Sequence, residues 1–211
     1  MTRDTSKTLA RSKARSEATS ARIIAAARTL FVAKNYAEVT TDIIAGAAGV
    51  TKGGLYHHFP SKEQLYISMI LDDLDRKRRL FEQAVAAQGN CRDRLAKLTR
   101  DFLEQPDEER KLTRLVRRDI NIFTGEERDR LVRAYQLALP EQIEAIIREG
   151  IEDGELAPGD PRILSWSFVA LVEVVIGRYA NHVLGSTEAR LDHVLELFFD
   201  GAAAKPTGGT E

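Results

Sequence analysis

Residues 40–65, TTDIIAGAAGVTKGGLYHHFPSKEQL, leave the backbone little freedom. Thr40 or Thr41 can open a short helix whose apolar positions Ile43, Ile44 and Ala47 read as its inward face. Gly49 closes that helix, because glycine enters the left-handed turn without steric cost. Thr51 is a natural cap for the next helix. That helix ends near Phe59, since Pro60 disfavours helical backbone in the residue before it. Ser61 and Gln64 then fit a capping box, with Leu65 in place for an apolar staple at the head of a longer helix.

Two short helices joined by a tight glycine turn make a helix-turn-helix, a unit that lays its second helix in the major groove of DNA. Here the second helix is 52–58, and it carries Gly53 and Gly54 side by side. Each glycine costs a helix interior roughly 0.8–1 kcal/mol against alanine. Close approach offsets that cost: without side chains, the start of the helix can reach a sugar-phosphate backbone, where its free N–H groups attract phosphate. Lys52 and Lys62 would supply charge to phosphates. Tyr56 and His57 offer donors to them, and Leu55 is expected to face the helices below. His57 and His58 are adjacent and diverge by about 100° on a helix, so they do not form a metal pair as an i, i+4 spacing can.

The rest of the chain also reads as helix, with no strand-like alternation and no repeat. Ile23, Ile24, Ala27, Leu30 and Phe31 share one face of a helix that begins at Ser16 and ends near Asn35. Ile67, Ile70, Leu71 and Leu74 continue the stripe of the helix that follows Ser61. Gly89-Asn90 stops it and caps the next, marked by Leu95, Leu98 and Phe102. Pro106-Asp107 starts another with Leu112, Leu115, Val116 and Phe123 on one face, and Gly125 is expected to end it. Residues 126–152 read as one segment kinked at Pro140. After the loop DGELAPGDP (153–161), Asp160 caps and Pro161 takes the first helical position. The helix that follows is apolar almost all round and is expected to be buried on several sides. The last helix repeats Leu191, Val194, Leu195, Phe198 and Phe199.

Charge divides the chain. Residues 1–62 hold 10 Lys/Arg against 4 Asp/Glu, whereas the remainder holds 21 against 28, within a whole-chain net charge of −1. A basic front on an acidic body implies that only the front meets a polyanion. The single cysteine, Cys91, excludes an internal disulfide and fits a reducing compartment. No run of eighteen apolar residues is present; WSFVALVEVVIG (166–177) is too short to span a membrane and contains Glu173. No glycine-rich phosphate loop, nucleophile elbow or zinc-helix signature appears, so neither an enzyme nor a cofactor is expected.

From Ile44-Ala45 through Ala48-Gly49-Val50, Leu55-Tyr56-His57, Phe59 and Ser61-Lys62-Glu63 to Leu65, the segment resembles the DNA-binding signature of the TetR family of transcriptional regulators. Gly54 stands where that family often carries Thr or Ser. The resemblance covers the first 70 or so residues closely and the rest only in length and helicity. It implies an all-α fold of about nine helices: a three-helix DNA-binding head and a helical ligand-binding and dimerisation body. The corresponding boundaries are a flexible basic arm over 1–15, a DNA-binding domain over 16–60, a regulatory body over 61–202 and a disordered tail over 203–211. The DNA-binding set is then Thr40, Thr41, Thr51, Lys52, Gly53, Gly54, Tyr56, His57 and Lys62. Such regulators dimerise through their last two long helices, which points to Val172, Ile176, Tyr179, Leu191, Val194 and Phe198 as the dimer interface. Twofold symmetry predicts a pseudo-palindromic operator, its half-sites about 34–36 Å or a multiple apart.

Two carboxylates stand out in the body. Asp119 lies on an apolar stripe and Glu173 lies inside an apolar helix. Each must be satisfied if buried. Either an arginine such as Arg117, Arg118 or Arg178 pairs with it, or it meets a polar effector in a pocket walled by Phe102, Phe123, Tyr135 and Trp166. The expected function is a ligand-responsive, homodimeric, cytoplasmic DNA-binding regulator, in repressor mode, with operator DNA and a small-molecule effector as partners and no membrane. The competing reading is a ligand-buffering or protein-interaction module whose DNA head is secondary.

Overall fold

A computed structural model of the protein describes residues 2–201. Among the described residues the chain forms eleven α-helices, two short 3-10 turns and no strand. In order they are α1 (Thr2–Ala33), α2 (Thr41–Ala48), α3 (Lys52–His58), α4 (Lys62–Val85), α5 (Cys91–Leu103), α6 (Asp107–Asp119), α7 (Gly125–Ala138), α8 (Pro140–Glu152), α9 (Pro161–Val175), α10 (Arg178–Leu184) and α11 (Thr187–Phe199). The expected count of nine rises by two. Residues 126–152 break into α7 and α8, and 178–184 form a separate helix. At the break Leu139 leaves the helical region, with φ −127° and ψ −76°, and Pro140 takes the first position of a new helix. Gly125 opens α7 rather than closing α6, which already gives way at Asp119 to a 3-10 turn over Ile120–Ile122.

The backbone divides into two compact units. The first gathers the chain up to Asp73 and takes back Lys111–Leu131; the second holds Leu74–Arg110 and the chain from Val132 onward. Thus α4, α6 and α7 each contribute to both, whereas the sequence suggested a single cut at residue 60. The tail expected over 203–211 lies outside the described residues.

In the first unit, α1 packs on α2 and α2 on α3. The segment expected as a flexible arm is helical from Thr2. Arg, Lys, Ala and Leu, all good helix formers, supply eight of its fifteen residues. The stripe begins where expected, with Ile23, Ala27 and Phe31 fully buried. Phe31, Tyr36, Tyr66 and Phe123 form an aromatic core, its ring pairs 4.8–5.7 Å apart and mostly edge-to-face. Arg28 reaches Asp72 at 3.6 Å, tying α1 to the first half of α4. The Ser61 hydroxyl caps α4 through the Gln64 N–H (3.0 Å), but the Gln64 side chain donates to Glu127 (2.8 Å) rather than closing the capping box.

In the second unit, α8 lies against α9, while α5 packs on α8 and α11 and α11 also on α9. The approach of α5 to α8 is close enough that a Cβ on Gly150 would come within 2.7 Å of the Cys91 Cβ. Arg94 fastens the same corner, pairing with Glu149 and donating to the Val85 carbonyl at 2.6 Å. Phe168 meets Phe198 edge-on at 5.0 Å where α9 and α11 cross. No single described helix is long and apolar enough to cross a membrane; α9 and α10 meet that test only as a pair bent by 73°.

Candidate nucleic-acid interface

The helix-turn-helix forms by the local rules that its sequence obeys. Thr40 caps α2, its hydroxyl accepting from the Ile43 N–H at 3.3 Å. Gly49 ends α2 in the left-handed conformation, φ 66° and ψ 37°, and the Val50 N–H returns to the Ala45 carbonyl at 3.0 Å. Thr51 caps α3 by accepting from the Gly54 N–H at 3.0 Å, and the Phe59 N–H closes α3 on the Leu55 carbonyl. Leu55 is fully buried, as expected. The inward face of α2 is Thr41, Ile44, Ala45 and Ala48, so Ile43 and Ala47 point outward, against expectation. Both sets fit a helical period; the choice falls to the set that meets α1 and α3.

The capping and packing leave a defined outer surface. Thr40, Thr51, Lys52, Gly53, Tyr56 and His57 are exposed, and Gly54 is half-buried. Thr41 is not part of that surface: it is buried, and its hydroxyl lies 3.1 Å from the Tyr56 hydroxyl, joining α2 to α3. Lys52 reaches Asp42 at 2.9 Å across the turn, and this hydrogen bond and charge raise its pKa. The two glycines differ. A Cβ on Gly53 would meet nothing within 4 Å, so nothing inside this chain demands glycine there. A Cβ on Gly54 would press on the capping hydroxyl of Thr51 at 3.2 Å.

Lys62 departs most from expectation. Its ammonium donates to the carbonyls of Tyr36 (2.9 Å) and Val39 (3.1 Å) and sits over the Tyr36 ring, 4.1 Å from its centre. Two of its three donors therefore hold the loop between α1 and α2, so Lys62 braces the head. The carbonyls at the end of a short 3-10 turn were the signal: they need a donor, and no sequence pattern points from residue 36 to residue 62.

Residues 23–69 match the family model for bacterial regulatory proteins of the tetR family, and residues 88–181 match a tetracyclin repressor-like C-terminal domain. The chain belongs to the TetR family. The HTH-type transcriptional repressor KstR2 of Rhodococcus jostii is 27% identical over 184 residues, which are 84% of this chain and 88% of that protein. Among solved structures, AibR, determined with isovaleryl coenzyme A and operator DNA, superposes with a TM-score of 0.74 at 22% identity over 86% of this chain and 98% of its own. FadR of Bacillus subtilis, determined with stearoyl-CoA, gives 0.73 at 21% identity with the same coverage of each chain. These two likenesses establish the fold. This TetR-family chain is a DNA-binding transcriptional regulator, and its relatives are regulators rather than enzymes.

In this TetR-family chain the residues expected to line an effector site are divided between the two units. Asp119 and Phe123 belong to the first unit. Asp119 is buried and fully engaged: the Tyr66 hydroxyl donates to it at 2.6 Å, and Arg118 donates to both oxygens at 2.6 and 2.7 Å. Of the two readings left open for this carboxylate, the arginine pair is the one formed. Burial, and then the hydrogen bond to Asp119, push the Tyr66 pKa well above the phenol range. In the second unit Phe102 packs against Phe81 at 6.1 Å, Tyr135 lies 6.4 Å from Trp166, and Glu173 is half-buried on α9.

The expected dimer surface is partly inside the molecule. Leu191 and Val194, at 2% and 0% exposure, are buried in the core of the second unit and offer no surface to a partner, and Val172 is nearly as enclosed. Ile176 and Phe198 are half-buried, and Tyr179 is 81% exposed. The exposed apolar side chains are Ile163, Trp166, Val174, Tyr179 and Val183 on α9 and α10. An all-round apolar helix does not reveal which of its faces is turned outward, and here that face is the one left over after α8 and α11 have packed on α9.

Proposed function

We propose that this chain is a homodimeric, cytoplasmic repressor without enzymatic activity. In this reading α3 enters the major groove of each operator half-site, and a small molecule bound by the body lowers operator affinity. The observation that carries the DNA-binding surface is the exposed set Thr40, Lys52, Gly53, Tyr56 and His57 on a pair of helices fixed by two hydroxyl caps and a left-handed glycine. The open space over Gly53 suits a closely approaching sugar-phosphate backbone. Dimerisation is assigned to the exposed stripe Ile163, Trp166, Val174, Tyr179 and Val183, since patches of this kind mark interfaces. AibR and FadR were solved with coenzyme A thioesters, which makes an acyl-CoA the first effector class to test.

The test is selection of genomic fragments by the purified protein, followed by binding to the enriched DNA at several salt concentrations. A twofold-symmetric site whose log K falls with log salt, by roughly 0.9 per phosphate neutralised, is the expected outcome. Absence of any enriched site, also after refolding the protein to strip bound effector, would overturn the assignment. Binding by a monomer, or by a Tyr179→Glu variant that stays dimeric, would remove the proposed dimer face.

A further inference from the structure

α1 runs for 32 residues, yet its first buried side chain among those described is Ile23. Ile23, Ala27 and Phe31 seat the second part of the helix in the head, where α2 packs on it. Before them, every side chain from Ala10 to Ala18 is exposed. Arg11 stands about 18 Å along the axis from Ile23, at roughly 1.5 Å per residue.

The charges on this bare stretch are ordered. Arg11, Arg15 and Arg22 are exposed and recur at spacings of four and seven, which puts them within about 40° of one another around the helix. The stripe is centred about 140° from the buried face of Ile23, Ala27 and Phe31, so it points away from the core. None of the three lies within 4.0 Å of a carboxylate among the described side chains. The ion pair of this stretch, Lys13 with Glu17 at 3.9 Å, is on the opposite side of the helix. A stretch that buries nothing gains no stability from packing, and a row of unpaired arginines on it is a surface for a polyanion.

The stripe belongs to the same compact unit as α2 and α3. α2 starts seven residues after the end of α1 and packs against it, which makes the two antiparallel neighbours. The turn at Gly49 and the start of α3 at Lys52 are then towards the Ile23 end of the packed segment, the end from which the arginines extend.

We propose that Arg11, Arg15 and Arg22 form a second DNA-binding surface, which holds phosphates of the duplex flanking each half-site. The inference rests on the reading of α3 as the groove helix and extends it. Guanidinium forks match phosphate oxygens. The rise of about 16 Å from Arg11 to Arg22 spans roughly five phosphates of one strand. Contacts of this kind carry no base information: they raise affinity and lengthen the footprint without changing the operator sequence.

The experiment measures binding of the full-length protein to two duplexes over a range of salt. One is the selected operator trimmed to the outer edges of its half-sites; the other carries about ten more base pairs, one helical turn, at each end. Both are repeated with the Arg11→Gln/Arg15→Gln/Arg22→Gln variant, its helicity checked by circular dichroism. The wild type is expected to bind the longer duplex about tenfold or more tightly than the trimmed one, with a steeper fall of log K against log salt, by roughly 0.9 for each arginine engaged and up to about 5 for the six of a dimer. The variant is expected to lose that gain and the extra slope while keeping its affinity for the trimmed operator. Equal wild-type affinity and slope on the two duplexes, a comparison that needs no variant, overturns the proposal and leaves the groove reading of α3 intact. Failure of the wild type to bind either duplex overturns both. A folded variant that retains the flank-dependent gain also overturns the proposal, and leaves the stripe to a protein or lipid partner.

Discussion

Replacing Tyr66 with Phe isolates one buried hydrogen bond. The Tyr66 ring lies in an aromatic core with Phe31, Tyr36 and Phe123, and Phe preserves those contacts. Only the hydroxyl is lost, and with it the 2.6 Å donation to Asp119. Hydrogen bonds to a charged group contribute about 1.5–3 kcal/mol. The carboxylate keeps both donations from Arg118, so the loss stays within that range at about 2 kcal/mol. For a chain of this length 1 kcal/mol shifts Tm by about 2–4 °C, which gives an expected fall of roughly 4–8 °C. Asp119→Asn removes the charge but leaves Arg118 able to reach solvent, since its side chain is 39% exposed; the expected loss is again about 2–3 kcal/mol rather than the ~3–5 kcal/mol of a fully buried broken pair. Because the two changes share one hydrogen bond, the double variant should lose less than the sum of the singles.

The same bond predicts an alkaline signature. The Tyr66 pKa is raised in the folded chain, so the neutral phenol is the form that folding favours. Its contribution is complete below the unfolded value of about 10 and declines as pH rises above it, at up to about 1.4 kcal/mol per pH unit. Urea titrations at pH 8, 10 and 11 on wild type and Tyr66→Phe measure both effects. If Tyr66→Phe stays within 0.5 kcal/mol of wild type at pH 8, and the two proteins lose stability in parallel above pH 10, Asp119 does not depend on Tyr66 and the reasoning fails.

How much of this could be read from the sequence depended on how far apart the causes lie along the chain. The caps at Thr51, Asn90 and Asp160 and the left-handed Gly49 act within four residues of themselves, and the structure has each of them as read; of the two threonines offered for the start of α2 it uses Thr40. The helix-turn-helix was legible for that reason. Burial was less so where two registers were equally apolar: Ile43 and Ile44 are neighbours, and only packing against α1 and α3 decides that Ile44 goes in. The last helices were illegible in the same way: Leu191 and Val194, read together with Tyr179 as one outward face, are buried, whereas Tyr179 is exposed as that reading requires. Lys62 and Asp119 were beyond reach because their partners are tertiary. Lys62 holds carbonyls 26 and 23 residues away, and Tyr66 meets Asp119 across 53 residues. Charge alone identified them as polar; it could not say whom they serve.

Those distant partners make the remaining predictions specific. Lys62→Ala removes two donations to backbone carbonyls and a cation–π contact, and should lower stability by about 1–3 kcal/mol in thermal melts while leaving the salt slope of operator binding unchanged. A slope shallower by about one would instead make Lys62 a phosphate contact. Gly150→Ala forces a methyl group to within 2.7 Å of the Cys91 Cβ and 2.8 Å of its sulfur, and should cost about 1–3 kcal/mol, only partly relieved in the Cys91→Ala/Gly150→Ala double variant, where the sulfur is gone but the Cβ remains. Gly53→Ala should do the opposite. A methyl group there meets nothing in the chain, and alanine favours helix over glycine by up to about 0.8–1 kcal/mol, less in the first turn where Gly53 lies, so the folded protein gains some stability. Operator affinity should fall at the same time, because the added methyl occupies the space that the DNA backbone is proposed to enter. A gain in Tm with unchanged operator affinity would mean that α3 does not approach DNA at Gly53. The two measurements together distinguish a glycine kept for the fold from one kept for the ligand, and the empty volume above Gly53 leaves the fold no reason to keep it.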